Sequence, residues 1–338
     1  MRRRLLLILG ILISIALLAL AVRGLHLQEF LADLSQANLF WLLPGIGAYF
    51  VAVFVRAIRW KFLLKPNRDI AAPRLFPIVV IGYMGNNIYP ARIGELVRAY
   101  VLRRKFGVPI AFTLSTILLE RLMDAVVMLG FVLIGLPRAA GLSDQVRSAL
   151  GVAGVLFGLA TLVFFGFALA PRAAARIAEA VINRIIPARF APKLVGMVER
   201  FVEGAQSLKN PLDLAGLVGT SITVWLIETV KYWCIAQGFG MSTSYPDLML
   251  VNGISNLFTI LPGLPGAAGT FDSGSILALE ALGVTQALAT AYTVVLHVAL
   301  WLPVTALGAY FMLREGLKWN DLRAAEHAAA EPEQPTKN

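Results

Sequence analysis

Six stretches of this chain, residues 4–22, 39–63, 110–136, 149–170, 212–239 and 286–313, stay apolar long enough to cross a bilayer. A helix needs about 20 such residues to span a hydrocarbon core of roughly 30 Å. The runs are continuous rather than alternating, which argues for helices and against a transmembrane β-barrel. Only 15% of the 338 residues are charged and mean hydropathy is +0.74, where a soluble chain carries roughly a quarter charged residues. The expected fold is an all-α polytopic membrane protein.

Two further apolar regions, 75–102 and 247–283, contain helix breakers. The first arm of 75–102, Leu75 to Tyr89, would be about 22 Å long as a helix, too short to span. Charge distinguishes a crossing from a returning hairpin. With both regions as hairpins, the inside loops hold 22 Lys and Arg, the outside loops three and the membrane segments five. With both as full crossings, 14 fall inside and 11 outside. The positive-inside bias selects hairpins. The predicted architecture is therefore six transmembrane helices plus two oppositely oriented re-entrant helical hairpins. Pro90-x-x-x-Gly94 and Pro265-x-x-x-Gly269 stand at corresponding places in the two hairpins. Opposite orientation of two similar halves is the pattern of an inverted repeat, with broken helices around a shared midplane site. Residues 1–140 form the first repeat and 141–315 the second, followed by a disordered cytoplasmic tail, 316–338.

Arg2, Arg3 and Arg4 before an apolar run that ends Ala19-Leu20-Ala21 have the look of a signal peptide. The run is long for one and more spans follow, so a retained helix is expected. Segment 171–211 is basic and partly amphipathic, with Ile177, Val181 and Ile185 at helical spacing. It is expected to lie along the cytoplasmic surface. Net charge is +10. The basic residues sit in short loops, so they point to topology and anionic lipid rather than nucleic acid. Cys234 is the single cysteine, so no internal disulfide can form, and neither a metal nor any other cofactor is expected.

GNNIYPARIGELVRAY, residues 85–100, places polar groups and breakers at membrane depth. Non-helical backbone there needs protein or water to satisfy it. Asn86 and Asn87 either repair the tip or line a cavity, with Pro90 and Gly94 as the break. Arg92, Glu95 and Arg98 lie three apart on one helical face. They form either an ion pair holding the hairpin, with Arg98 snorkelling towards the cytoplasm, or a basic site suited to phosphate. Glu120, Arg121 and Asp124 share a span and should meet the first hairpin, pairing its arginines or carrying protons. Glu228 and Lys231, at i,i+3, form an intrahelical pair or share a central cavity. In the second hairpin Pro262, Pro265, Gly266 and Gly269 preclude an ordinary helix. The helix start after Gly269 could receive an anion, with Asp272 competing for the same donors. Its alternative is a tight packed turn. His297 reads as a hydrogen-bonding core residue.

GNNIYPARIGELVRAYVL, then LLERLMDA and later LPGLPGAAGTFD, resemble the flippase-like membrane domain of lysylphosphatidylglycerol synthases. The likeness runs over residues 5–315. It implies a lipid-translocating module, which in the fused relatives moves an aminoacylated phospholipid between leaflets. The chain shows no soluble aminoacyl-transferase domain, so synthase activity is not expected. The expected function is a lipid flippase of the bacterial cytoplasmic (inner) membrane, with both termini cytoplasmic and no enzymatic activity. It would move an anionic phospholipid or lipid-linked headgroup. No Walker motif is present to use ATP directly. Asn86, Asn87, Arg92, Arg98, Gly266 and Gly269 would hold the headgroup. Glu95, Glu120, Arg121, Asp124, Glu228, Lys231 and Asp272 would tune charge or carry protons. Pro90, Gly94, Pro262 and Pro265 would mark the breaks. Expected partners are anionic membrane lipids, with a lipid-synthesising enzyme and further copies of the chain as candidate protein partners. A membrane-embedded enzyme acting on a lipid-linked substrate, and a non-catalytic partner of a lipid synthase, are the alternatives.

Overall fold

The computed structural model describes residues 12–17, 19–20, 23, 25–89, 93–139, 141, 171–185, 211–261 and 263–317, with scattered positions between 148 and 196. Among the described residues the secondary structure is helical, without strands. The helices are α1 (Leu27–Gln36), α2 (Leu42–Leu64), α3 (Ala72–Ile88), α4 (Gly94–Phe106) and α5 (Ile110–Gly135). They continue with α6 (Pro171–Ile185), α7 (Pro211–Gly238), α8 (Tyr245–Phe258), α9 (Thr270–Ala281) and α10 (Gln286–Arg314).

Local chemistry sets the ends of these helices. Asn38 accepts the Phe40 N–H at 3.1 Å and starts the turn leading into α2. The Ser244 N–H donates to Asp247 at 2.8 Å and caps α8. α4 ends in Arg103, Arg104 and Lys105, favourable at the negative end of a helix dipole. Gly107, at φ 70°, then closes it by donating to the Arg103 carbonyl.

Among the described residues three helices are long and apolar enough to cross a membrane: Leu39–Leu64 including its leading turn, Leu212–Gly238 and Gln286–Arg314. α5 has 26 residues, about 39 Å at the helical rise, but Glu120, Arg121 and Asp124 lower its apolarity. The expected spans 4–22 and 149–170 lie largely outside the described residues, as does the proposed tail except Gly316 and Leu317. α3, α4, α8 and α9 have 17, 13, 14 and 12 residues. Their lengths of about 26, 20, 21 and 18 Å all fall short of a ~30 Å core.

α3 and α4 pack on each other, as do α8 and α9. Between the pairs, α2 packs on α7, α3 on α10 and α8 on α5. Exchanging α2 with α7, α3 with α8, α4 with α9 and α5 with α10 returns the same set of packed pairs, including α2–α3 with α7–α8 and α4–α5 with α9–α10.

Contacts sort the helix ends into two groups. At one end of the bundle Lys65 pairs with Asp213 at 2.8 Å, Lys105 with Glu315 at 2.5 Å, and Arg68 donates to the Phe106 carbonyl. Both ends of the α3–α4 pair are therefore here, among basic residues. At the other end Asn38 donates to the Gly238 carbonyl at 2.8 Å, Arg138 approaches Asp247 at 3.8 Å, and Gly141 donates to Ala281 at 3.0 Å. Both ends of the α8–α9 pair are there.

Polarity is inverted relative to a soluble protein. Leu43, Val51, Leu118, Leu133, Val298 and Leu302 are exposed, while Arg56, Arg59, Glu120, Asp124, Glu228 and Lys231 are buried. Charged side chains almost never hide inside a water-soluble fold without reason, and an apolar exterior suits lipid.

Candidate functional site

The buried charges form one network. Arg59 and Arg56 are three residues apart on α2, so they share a face towards α5 and α7. Arg59 grips Asp124 with two nitrogens, at 2.5 and 3.3 Å, and lies 3.7 Å from Glu120. Glu120 also accepts from Arg98 of α4 at 2.9 Å. Asp124 further accepts from the Trp225 indole at 2.8 Å and approaches Arg56 and Arg121 at 3.5 Å each. Arg121 bonds Glu95 of α4 at 3.0 Å. On α7, Glu228 pairs with Lys231 and accepts from Arg56 at 3.2 Å. Breaking such a buried pair from one side typically costs about 3–5 kcal/mol, because it strands the partner charge.

Aromatic rings complete the surroundings of the cations. The Arg98 guanidinium lies 4.0 Å above Trp60, Arg56 4.7 Å above Trp225, and the Lys231 ammonium 4.7 Å from Tyr49 and 5.1 Å from Tyr232. Ring faces attract such charges most where water is excluded.

Beside this network is a cavity of about 220 Å³, lined by Arg56, Arg121, Lys231, Asp124 and Glu228 together with aromatic and polar groups including Tyr83, Trp225 and Asn256. Arg56 lies about 12 Å from the end of α2 and Glu228 about 15 Å from the end of α7 by helical rise, so the cavity is at mid-depth. Ile260, one of its lining residues, is 69% exposed. Cationic and hydroxyl donors facing a space of this size can hold a small anionic headgroup but not its acyl chains.

The residues singled out in the sequence divide between three places. Arg121, Asp124, Glu228 and Lys231 line the cavity. Glu95, Arg98 and Glu120 belong to the ion network on its α4 side. The arginine at 98 is buried, paired and stacked, so it does not snorkel to the surface; Glu120 and Trp60 give it a better partner than water. Glu95 pairs with Arg121 of the neighbouring helix. Pro90, Arg92 and Pro262 lie outside the described residues.

The remaining residues gather where the two breaks meet. Asn87 donates to Thr305 at 2.8 Å and to the Trp301 carbonyl at 3.3 Å, and its own carbonyl accepts from the Trp301 indole at 3.3 Å. Gly266, in the turn Pro265–Ala267, abuts the same indole; its φ of 70° and a would-be Cβ only 2.8 Å from the ring admit only glycine comfortably. Trp301 thus joins both tips. Asn86 keeps a buried side-chain oxygen without a hydrogen-bond partner, and Gly94 packs against Asn86 and Gly82. Gly269, at φ 86°, packs on Ser14, and its N–H donates to Asp272 at 2.8 Å. Asp272 thereby occupies the donor that an anion would use, and its other oxygen is 2.6 Å from His297.

Arg56 and Arg59 were not singled out in the sequence. The available signal was their i,i+3 spacing within a run apolar enough to span, at the place in the first half that Glu228 and Lys231 hold in the second. The aromatic lining carried no sequence signal of its own, because Tyr49, Tyr83, Trp225 and Tyr232 read equally well as packing.

The comparisons with known proteins agree with this setting. The chain is 27% identical to a glycosyltransferase, AglD, of Haloferax volcanii over 324 residues, covering 87% of this chain and 52% of that one. It thus spans about half the length of AglD. It is 25% identical to a UPF0104 membrane protein of Methanothermobacter thermautotrophicus, covering 88% of this chain and 93% of that one. It is 23% identical to UPF0104 membrane protein PH1989 of Pyrococcus horikoshii, covering 93% and 97%. No solved structure matches the chain. The model of the lysylphosphatidylglycerol synthase TM region matches residues 7–308, and the chain belongs to that family of membrane proteins.

Proposed function

We propose that this protein is a lipid transporter that moves an anionic phospholipid or lipid-linked headgroup between the leaflets of a bacterial cytoplasmic (inner) membrane, without covalent chemistry. The observation that carries the proposal is a charged cavity at mid-depth, one of whose lining residues, the apolar Ile260, is exposed. The headgroup occupies the cavity. Its chains leave beside Ile260, Leu261 and Trp301, all exposed to the apolar surroundings. Arg56, Arg121 and Lys231 supply positive charge, and Asn256 and the tyrosines supply hydrogen bonds.

The wider architecture is an inverted repeat. α3–α4 and α8–α9 act as re-entrant hairpins from opposite faces, with both termini in the cytoplasm. The exchange symmetry of the packing, the short arms, and the gathering of each hairpin's ends at one end of the bundle support it. Rocking of the halves about the α2–α7 contact would then switch access. Labelling of Arg103→Cys with a membrane-impermeant maleimide should succeed only from the cytoplasmic side; labelling from outside the cell rejects the hairpin.

The decisive experiment uses purified protein in liposomes containing a tail-labelled phosphatidylglycerol. Exchange of the label between leaflets supports transport. Covalent change of the lipid supports instead an enzyme acting on a lipid-linked substrate, a reading favoured by the name of the Haloferax relative. Neither result, until a lipid-synthesising enzyme is added, supports a non-catalytic partner of such an enzyme. Against an enzyme stands the engagement of Asp124 and Glu228, the two carboxylates lining the cavity, with arginine or lysine.

A further inference from the structure

Among the described residues the network holds five cations, Arg56, Arg59, Arg98, Arg121 and Lys231, against four carboxylates, Glu95, Glu120, Asp124 and Glu228. Four short pairs account for all the carboxylates: Arg59–Asp124, Arg98–Glu120, Arg121–Glu95 and Lys231–Glu228. The fifth cation is Arg56. It reaches only carboxylates already taken, Glu228 at 3.2 Å and Asp124 at 3.5 Å. Its Nε, like that of Arg59 and of Arg98, is buried without a hydrogen-bond partner; the residue is 6% exposed and, unlike those two, it lines the cavity. We infer that the cavity is matched to a single negative charge, that of a phosphodiester headgroup, and that Arg56 is the residue that sets this selectivity.

The inference rests on the transport reading of the cavity and narrows its substrate. An unbalanced charge in a poorly solvated interior is expensive, whichever its sign. One phosphodiester brings the formal charge of the network to zero. A zwitterionic headgroup leaves the excess at Arg56 unchanged. A phosphomonoester, at about −1.5 to −2 at neutral pH, overshoots. The balance also separates this chain from a carrier of lysyl-modified phospholipid, whose amines would outweigh its phosphate. The geometry of Arg56 suits it to phosphate, because its planar fork can turn from Glu228 towards phosphate oxygens while its face stays on Trp225.

The test compares wild type, Arg56→Gln and Arg56→Lys in liposomes, following three lipids with identical labelled tails: phosphatidylglycerol, phosphatidylcholine and phosphatidic acid. Wild type should exchange phosphatidylglycerol about tenfold or more faster than the other two, the scale set by one unbalanced buried charge. Arg56→Gln removes the odd cation and leaves four charges of each sign, so it should lose that advantage. Arg56→Lys should keep it. Equal exchange of the three lipids by wild type, fastest exchange of phosphatidic acid, or an undiminished preference in Arg56→Gln overturns the inference and leaves transport standing. Absence of exchange for all three lipids in folded wild type overturns transport itself. If Arg56→Gln fails to fold, the three-lipid comparison in wild type and Arg56→Lys still decides.

Discussion

The two helical hairpins have corresponding packing partners but are held by different forces. In the first, α3 and α4 approach backbone to backbone: a Cβ on Gly94 would strike the Gly82 carbonyl and come within 2.7 Å of the Asn86 nitrogen. Its second arm then sends Arg98 and Glu95 into the buried ion network. The second hairpin contains no Lys or Arg; none occurs between Lys231 and Arg314. It is fixed by neutral hydrogen bonds, Asn252 to Thr229 at 3.0 Å and Thr293 to Ser275 at 3.0 Å, and by the Asp272–His297 contact. A Cβ on its Gly274 would come within 2.8 Å of Phe258 Cγ and 3.1 Å of the Ser255 Cα, a looser fit than at Gly94. The first hairpin sends charges into the network, while the second adds neutral lining to the cavity through Asn256, Leu257, Thr259 and Ile260. Similar packing therefore does not imply equal roles.

The sharpest way to break that contrast is to remove the carboxylate at the centre of the network. Asp124→Ala strands Arg59 and leaves Arg56 and Arg121 less compensated, and should destabilise by about 3–5 kcal/mol. Fluorescence-detected size-exclusion after heating in detergent would measure it; a melting point unchanged from wild type would deny that the charges hold this half. Next is Gly94→Ala, expected to cost about 3 kcal/mol because the obstructing atoms are backbone. Gly274→Ala should cost about 1–2 kcal/mol, since its nearest atoms stand 2.8 Å or more from the new Cβ and the overlap to relieve is smaller. Equal losses for the two glycines would erase the packing difference between the hairpins. The smallest effect is Asp272→Asn. Asparagine can still cap the Gly269 N–H, so only the contact with His297 weakens, by about 1.5 kcal/mol. Lipid exchange should survive in Asp272→Asn once the protein is folded, and its loss would assign the second tip a part in transport.

Much of the frame was legible in the sequence because it is written locally. Proline and glycine mark both breaks whatever surrounds them, and the chain leaves its helices at Tyr89 and at Thr259. Glu228 and Lys231 could be paired from their spacing alone. A partner among the first hairpin's arginines was expected for Glu120, and it is Arg98. The site itself was harder to see. Arg56 and Arg59 looked like the margin of an ordinary span, because their carboxylates lie 172 and 65 residues away in the chain. Gly266 suggested an open approach for a ligand, yet Trp301 fills the space next to it.

The sequence alone determined that this chain makes apolar helices with two interruptions and that a few of its charges of both signs lie at membrane depth. Those properties depend on composition and on neighbours within a few turns. Only the tertiary structure decided which charges meet, and that Arg56 lies beside a cavity against carboxylates that other cations also hold. Charge neutralisation in a poorly solvated interior depends on distances of a few ångströms between helices remote in sequence, and packing is what sets those distances.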